Sequence, residues 1–342
     1  MTLKVLDEAD ILEDNLRFHT AQGVDFFVVA DTGSTDGTLE ILERYERAGS
    51  LRLEHIPGGI PAMKEGGETR IARIAAEMGA DWVVHNDADE FWWPLGGNLK
   101  EALAQIPERF GIVLAPRADF VARPDAPGSF AERLTVRDRR FRRPPKVAHR
   151  AHPRVVTQGP HPIELWVDRG GSPRQGLVGK PIRRTEADHG EKAELDLVVA
   201  PSFPIAILHY PFRSFSQYRR RVEIGIENRQ LDRGPGREVR RAYETGRLEE
   251  IWARITLNDE ALAAGLAEGS LIEDSRLRDY LSRTPDSVSG APPARSEEQR
   301  SELEEVELDA MYVLSRYLQT FAYRGSAAAR EGAGKRKKRP AQ

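Results

Sequence analysis

Two short apolar runs, each ending among acidic residues, constrain this chain more than any other feature. Phe26-Phe27-Val28-Val29-Ala30 stops at Asp31, and Trp82-Val83-Val84 stops at His85-Asn86-Asp87-Ala88-Asp89-Glu90. A run of apolar side chains without polar alternation suits burial on both faces, the condition of a strand in a parallel sheet. Polar residues just past such a strand lie at its carboxyl end, where open α/β sheets bind ligands.

The spacing between these runs is helical. Thr32 to Gly37 supplies turn and cap chemistry, with Ser34 or Asp36 as the expected N-cap of a helix carrying Leu39, Leu42 and Tyr45. A second helix is expected over 65–78, where Ile71, Ile74 and Met78 share a face and Gly79 stands at the C′ position. Leu99 to Ile106 reads as a helix, and Ile112-Val113-Leu114-Ala115 as a strand. Alternating strands and helices point to βαβ units, so the expected fold class is α/β: a mixed, mainly parallel sheet flanked by helices.

Beyond 120 the alternation stops. Residues 133–154 hold nine Arg or Lys and one acid, Asp138. Residues 157–204 are rich in Gly and Pro and read mostly as loops. Pro204-Ile205-Ala206-Ile207-Leu208 is a late strand ending at His209, and helices are expected over 214–232, 237–255, 258–267 and 297–323. The expected organisation is a catalytic domain over 1–225 and a helical C-terminal region over 226–325, with a linker near 284–298. A disordered basic tail over 326–342 completes the chain; it carries six basic residues and one acid.

Composition excludes several classes. The 342 residues allow about two domains. There is no cysteine, so disulfides, thiolate metal sites, iron–sulfur clusters and a cysteine nucleophile are ruled out. A net charge of −3 argues against a specific nucleic-acid binder. No apolar run reaches the ~18 residues of a membrane span, and the first residues lack the apolar core of a secretory signal. A cytoplasmic protein is expected. The basic tail is a candidate for peripheral contact with anionic lipid at the inner membrane face.

Asp87-Ala88-Asp89 is the sharpest chemical signal. Two carboxylates two positions apart, just past a buried strand, can face one point. Such hard oxygen ligands suit Mg²⁺ or Mn²⁺ bridging to phosphates. Asp31-Thr32-Gly33-Ser34-Thr35-Asp36-Gly37-Thr38 is the second: an acid at a strand end, then a Gly/Ser turn into a helix, fits a nucleoside site. It is neither a P-loop nor G-x-G-x-x-G. Trp92 and Trp93 fit either stacking on a sugar ring or core packing. Arg70 and the basic 133–154 stretch carry positive charge that could add to the field around an anionic ligand.

With these segments and Asp7-Glu8-Ala9-Asp10-Ile11-Leu12-Glu13-Asp14-Asn15, the chain resembles bacterial glycosyltransferases of the family 2 type, which have a GT-A fold. Ile207-Leu208-His209-Tyr210-Pro211-Phe212-Arg213-Ser214 is similar to a late motif of one bacterial branch. The resemblance covers about 1–225. It implies an inverting, metal-dependent transfer of a sugar from a nucleotide diphosphosugar to a hydroxyl of a glycan or glycolipid, in cell-surface glycan assembly. Asp87 and Asp89 would hold the Mn²⁺ or Mg²⁺ against the diphosphate. Asp31 and the Glu8 region would contact the nucleoside. His209 would complete the metal shell or serve as a buried structural histidine. Thr32 stands where many members carry a second acid, which leaves the donor base open. Asp119, Glu164 and Asp188 are candidates for the base that deprotonates the acceptor. Glu164, 75 positions after Asp89, is favoured from where family bases fall. Two other readings remain: a nucleotidyltransferase-like enzyme, weakened by the acidic N-terminus, and a non-catalytic nucleotide-sugar binder or scaffold.

Overall fold

The structure, a computed structural model, describes residues 1–157 except 57–58, 95, 108–109, 141–142 and 144, and then 165–167, 198–199 and 205–283. The expected linker and basic tail, the helix at 297–323 and Glu164 with Asp188 lie outside the described residues.

Chain order begins with β1 (Thr2–Val5), α1 (Leu12–Ala21), β2 (Phe27–Asp31), α2 (Thr38–Arg47), β3 (Leu51–His55) and α3 (Gly59–Ala62). After a wide turn at Met63–Gly67 come α4 (Glu68–Glu77), β4 (Trp82–Asp87), β5 (Glu90–Pro94), α5 (Leu99–Ala104), β6 (Phe110–Ala115) and β7 (Arg117–Asp119). Next are α6 (Phe130–Arg133), β8 (Val136–Asp138), β9 (Lys146–Arg150), β10 (Val155–Thr157), β11 (Leu165–Val167), β12 (Val198–Val199) and β13 (Ile205–His209). The described chain ends with α7 (Phe215–Glu227), α8 (Gly236–Glu244), α9 (Leu248–Ile255), α10 (Asp259–Ala267), β14 (Leu271–Glu273) and α11 (Arg276–Leu281).

Seven strands form the central sheet in the order β12-β6-β9-β4-β1-β2-β3. The β4-β1-β2-β3 half is parallel throughout, and β12 is parallel to β6; only β9 runs against its neighbours β4 and β6. This is the mixed, mainly parallel α/β architecture expected from the alternating runs. Burial explains the runs. On β2, Phe27 and Val29 face one core, while Val28 and Ala30 face the other. Both faces are therefore dry, and alternating polarity is absent.

A second sheet, β5-β13-β7, places β13 antiparallel to β5 and parallel to β7. Its register sets His209 opposite Glu90 on one side and Asp119 on the other. Trp92 and Trp93 are core residues of this sheet, at 0% and 6% exposure, so packing accounts for them. Phe18, Phe91, Trp93 and Tyr280 form edge-on and stacked ring pairs there.

Several local expectations shift. Ser34 does not cap α2: its hydroxyl accepts the Asp7 N–H at 3.0 Å, and Gly37 takes the N-cap position in a left-handed conformation (φ 100°). Asp36 instead accepts the Thr38 N–H at 3.0 Å. The helix expected over 237–255 breaks at Thr245-Gly246-Arg247 into α8 and α9, with Gly246 at φ 69°. The basic 133–154 stretch is no uniform solvated loop, because it contains β8 and β9 with Arg137 and Lys146 buried. Past 225, β14 pairs with β8, and Leu277 and Tyr280 enter the same core as Leu3 and Phe18. Among the described residues, no helix is long and apolar enough to cross a membrane.

Candidate active site

Parallel strands β1, β2, β3 and β4 end on one rim, and the loops leaving them are stitched together. The Glu8 N–H donates to Thr38 Oγ1 at 2.9 Å and the Ala9 N–H to Asp36 Oδ2 at 3.0 Å. Asp7, at φ 55° in the left-handed region that disfavours most side chains, accepts the Thr35 N–H at 2.6 Å and pairs with Arg220. Asp31, the expected nucleoside ligand, accepts the Gly33 N–H at 3.0 Å and the Ser34 N–H at 3.2 Å. Its carboxylate thereby shapes the turn after β2.

The turn Asp87-Ala88-Asp89 between β4 and β5 is held from beneath by Asn15 of α1. Asn15 Nδ2 donates to the carbonyls of Ala88 at 2.9 Å and Glu90 at 2.7 Å, while its Oδ1 accepts from Asn86 Nδ2 at 3.1 Å. His19, one turn further along, fixes Asn15 in turn. The Trp92 N–H donates to His19 Nε2 at 3.1 Å, so the ring proton is on Nδ1, 3.0 Å from Asn15 Oδ1. Complete burial lowers the His19 pKa to about 3 and keeps it neutral.

The two aspartates of this turn meet different environments. Asp87 pairs with the buried ammonium of Lys146, which also lies 3.0 Å from Glu90 Oε2. Burial opposes the charge of Asp87, but Lys146 and Lys4 hold its carboxyl well below the usual range. Asp89 Oδ2 lies 3.6 Å from His209 Nε2 and 3.5 Å from Arg221 Nη1. Burial likewise opposes its charge, and His209, Arg221 and Arg213 overcome it. Burial would lower the pKa of His209, yet Asp89 and Asp119 raise it to about 9.

Arg213, in the late segment, is 1% exposed and ties that segment to the first loop. It is bidentate to Asp10, at 2.7 and 2.8 Å, and reaches Glu8 Oε2 at 2.5 Å. Burial pushes the Glu8 pKa up to about 7 against the pull of Arg213. Three segments separated by dozens of residues thus converge on one rim: Glu8 and Asp10, Asp87 and Asp89, and His209 with Arg213. Arg70 of α4 pairs with Glu54 of β3 at 2.5 Å.

No protein-family model matches this chain, and no curated protein matches it. Among solved structures it resembles S. aureus TarS. Residues 1–349 of TarS match at 20% identity over 44% of this chain and 46% of that one, with a TM-score of 0.29. The same fragment in complex with UDP-GlcNAc matches at 20% identity over 44% of each chain, with a TM-score of 0.28. The match spans under half the length of those chains.

Among the described residues, Asp89, Glu90 and His209 gather their potential ligand atoms within 4.8 Å of one another. Their fit to a divalent ion differs. His209 gives Nδ1 to Asp119 Oδ1 at 2.5 Å and turns Nε2 toward Asp89, which is how a carboxylate orients a metal-binding imidazole. Asp89 and His209 therefore fit. Glu90 is engaged by Arg117 at 3.0 Å as well as by Lys146, so its charge is already met. Asp87 lies outside the cluster but is one-third exposed at the same strand end. Asp119, one candidate base, has its oxygens committed to His209 and Arg143, and after the cost of burial these partners lower its pKa.

Sequence reasoning missed Arg117 and Arg221, and gave no individual role to Lys146 or Arg213, which lie in segments it had singled out. What sets Lys146 apart within its basic stretch is that it opens an apolar run, Lys146-Val147-Ala148.

Proposed function

We propose that this protein is an inverting glycosyltransferase of the GT-A type, moving a sugar from a nucleotide diphosphosugar to a hydroxyl acceptor. The observation that carries this reading is the meeting of Asp89 with His209, braced by Asp119, on the rim where the loops of Glu8 and Asp31 also end. Acidic, histidine-backed rims of this kind suit a diphosphate bridged by Mn²⁺ or Mg²⁺.

Asp89 and His209 would hold the ion, with Asp87 beside them sharing its charge with Lys146. The ion would offset the negative charge that grows on the departing diphosphate. The chain's own groups do the rest. Asn15 fixes the turn so that Asp89 points at the rim, and Asp119 fixes the His209 ring. The loops carrying Glu8, Asp31 and Thr32 border the nucleoside. In the transfer, the acceptor oxygen bonds to the anomeric carbon from one face while the bond from that carbon to the phosphate oxygen breaks on the other. The acceptor proton passes to a general base, and the nucleoside diphosphate leaves with the bonding electron pair. Glu164 is assigned as that base on its sequence position alone. A glycan or glycolipid is the proposed acceptor.

Calorimetry with UDP and GDP tests the reading. Heat of binding should appear for at least one nucleotide and increase with Mn²⁺, and Asp89→Ala should remove the Mn²⁺-dependent part without altering the circular dichroism. Absence of binding by either nucleotide in the wild-type protein overturns it.

A further inference from the structure

Five side chains of alternating charge are linked by successive contacts at the rim. Arg221 Nη1 is 3.5 Å from Asp89 Oδ2, and Asp89 Oδ2 is 3.6 Å from His209 Nε2. His209 Nδ1 is 2.5 Å from Asp119 Oδ1, and Asp119 Oδ2 is 2.6 Å from Arg143 Nε. The three inner groups are mostly buried. The two outer ones are open, with 51% of the Arg221 side chain and 44% of the Arg143 side chain exposed.

Arg221 differs from the other arginines of its segment. Arg213 is spent on Asp10 and Glu8, Arg220 on Asp7, and Arg219 on Glu223 at 3.1 Å. Arg221 meets its carboxylate only at 3.5 Å, beyond good hydrogen-bond length. It is nonetheless held in place. Its Nη1 donates to the Pro211 carbonyl at 2.9 Å, and its guanidinium lies 5.8 Å above the Phe212 ring. A fixed, half-open guanidinium beside an acid it does not saturate is suited to an anion, because its planar fork matches phosphate oxygens.

Resting on the glycosyl-transfer reading, we infer that Arg221 binds the diphosphate of the donor directly, so that part of the nucleotide affinity needs no divalent ion. Arg221 then takes charge from the departing diphosphate as the sugar–phosphate bond breaks. The interaction is made by the protein itself and persists when Asp89 is engaged elsewhere.

The test is calorimetry of UDP, GDP and their nucleosides in EDTA, with wild-type protein, Arg221→Gln and Arg221→Lys. Wild-type protein should retain binding of one diphosphate in EDTA. Arg221→Gln should weaken that binding about tenfold or more, the loss expected for a hydrogen bond to a charged group, and leave nucleoside affinity unchanged. Arg221→Lys should recover part of it. Equal diphosphate affinity in Arg221→Gln and wild type overturns the inference and leaves the proposed function standing. Equal loss for nucleoside and diphosphate also overturns it, because the residue would then be shaping the site. Wild-type binding that vanishes in EDTA but returns with Mn²⁺ overturns the ion-independent part, whereas no binding in either condition removes the function itself.

Discussion

His209 and Asp119 are register partners on adjacent parallel strands, and the imidazole Nδ1 lies 2.5 Å from the carboxylate. The pairing is built by backbone hydrogen bonding on both sides of the histidine: Phe120 N–H donates to the His209 carbonyl, and Tyr210 N–H to the Asp89 carbonyl, each at 2.8 Å. The ring is aimed by the sheet rather than by a flexible loop.

Asp119→Asn should therefore damage the site without damaging the fold. The amide keeps the shape but loses the charge that helps raise the His209 pKa to about 9. That pKa should fall, as followed by NMR titration of the ring. Mn²⁺-dependent nucleotide affinity should drop about 10- to 100-fold, the usual effect of removing an orienting carboxylate behind a ligand histidine. Unchanged Mn²⁺-dependent affinity would show that Asp119 does not orient a ligand histidine.

Asn15→Leu should cost stability and turnover together. Asn15 is fully buried and serves the Ala88 and Glu90 carbonyls and Asn86. Each buried group left unpaired costs about 1–3 kcal/mol, so a loss of about 3 kcal/mol or more is expected in urea unfolding. A midpoint equal to wild type would mean the turn holds itself.

Acid should destabilise the protein through its buried histidines. His85 Nε2 and His149 Nε2 lie 3.0 Å apart inside the sheet; His149 Nδ1 donates to the Arg150 carbonyl at 2.8 Å, so His85 supplies the proton between them. Burial lowers His149 to about 4, His19 to about 3 and His85 well below its usual 6.5. Between pH 6.5 and 4 the unfolded chain takes up protons that the folded one refuses, so stability falls as pH falls. His209 has the opposite sign: its contribution is complete below 6.5 and is lost as pH rises through about 9. Each buried histidine adds at most about 1.4 kcal/mol per pH unit. Urea midpoints should decline from pH 6.5 to 4.5, and the decline should be shallower in His149→Gln. An identical acid slope in that variant would exclude the His149 contribution.

Much of the frame was legible in the sequence because burial on both faces leaves unbroken apolar runs, as at Phe26–Ala30. Asp89 and His209 were legible for the same reason: each follows such a run. The cations were not. Lys146 and Arg117 lie in short strands whose burial depends on partners far away in the chain, and Arg213 gains meaning only when Glu8 arrives beside it. Asp87 and Asp89 also look equivalent in the sequence, and their partners separate them: Lys146 beside Asp87, His209 and Arg221 beside Asp89. The capping role of Ser34 failed because a hydroxyl can satisfy any nearby amide, and the loop after β1 reached it first.

The pairing of β14 with β8 and the docking of Leu277 and Tyr280 against Phe18 and Trp93 have a consequence for biosynthesis. The hydrophobic interior begun by the first twenty residues is sealed only when residues near 280 leave the ribosome. A truncation at 225 would leave aromatic rings facing water, and such a fragment should associate with itself or with chaperones instead of remaining a free monomer.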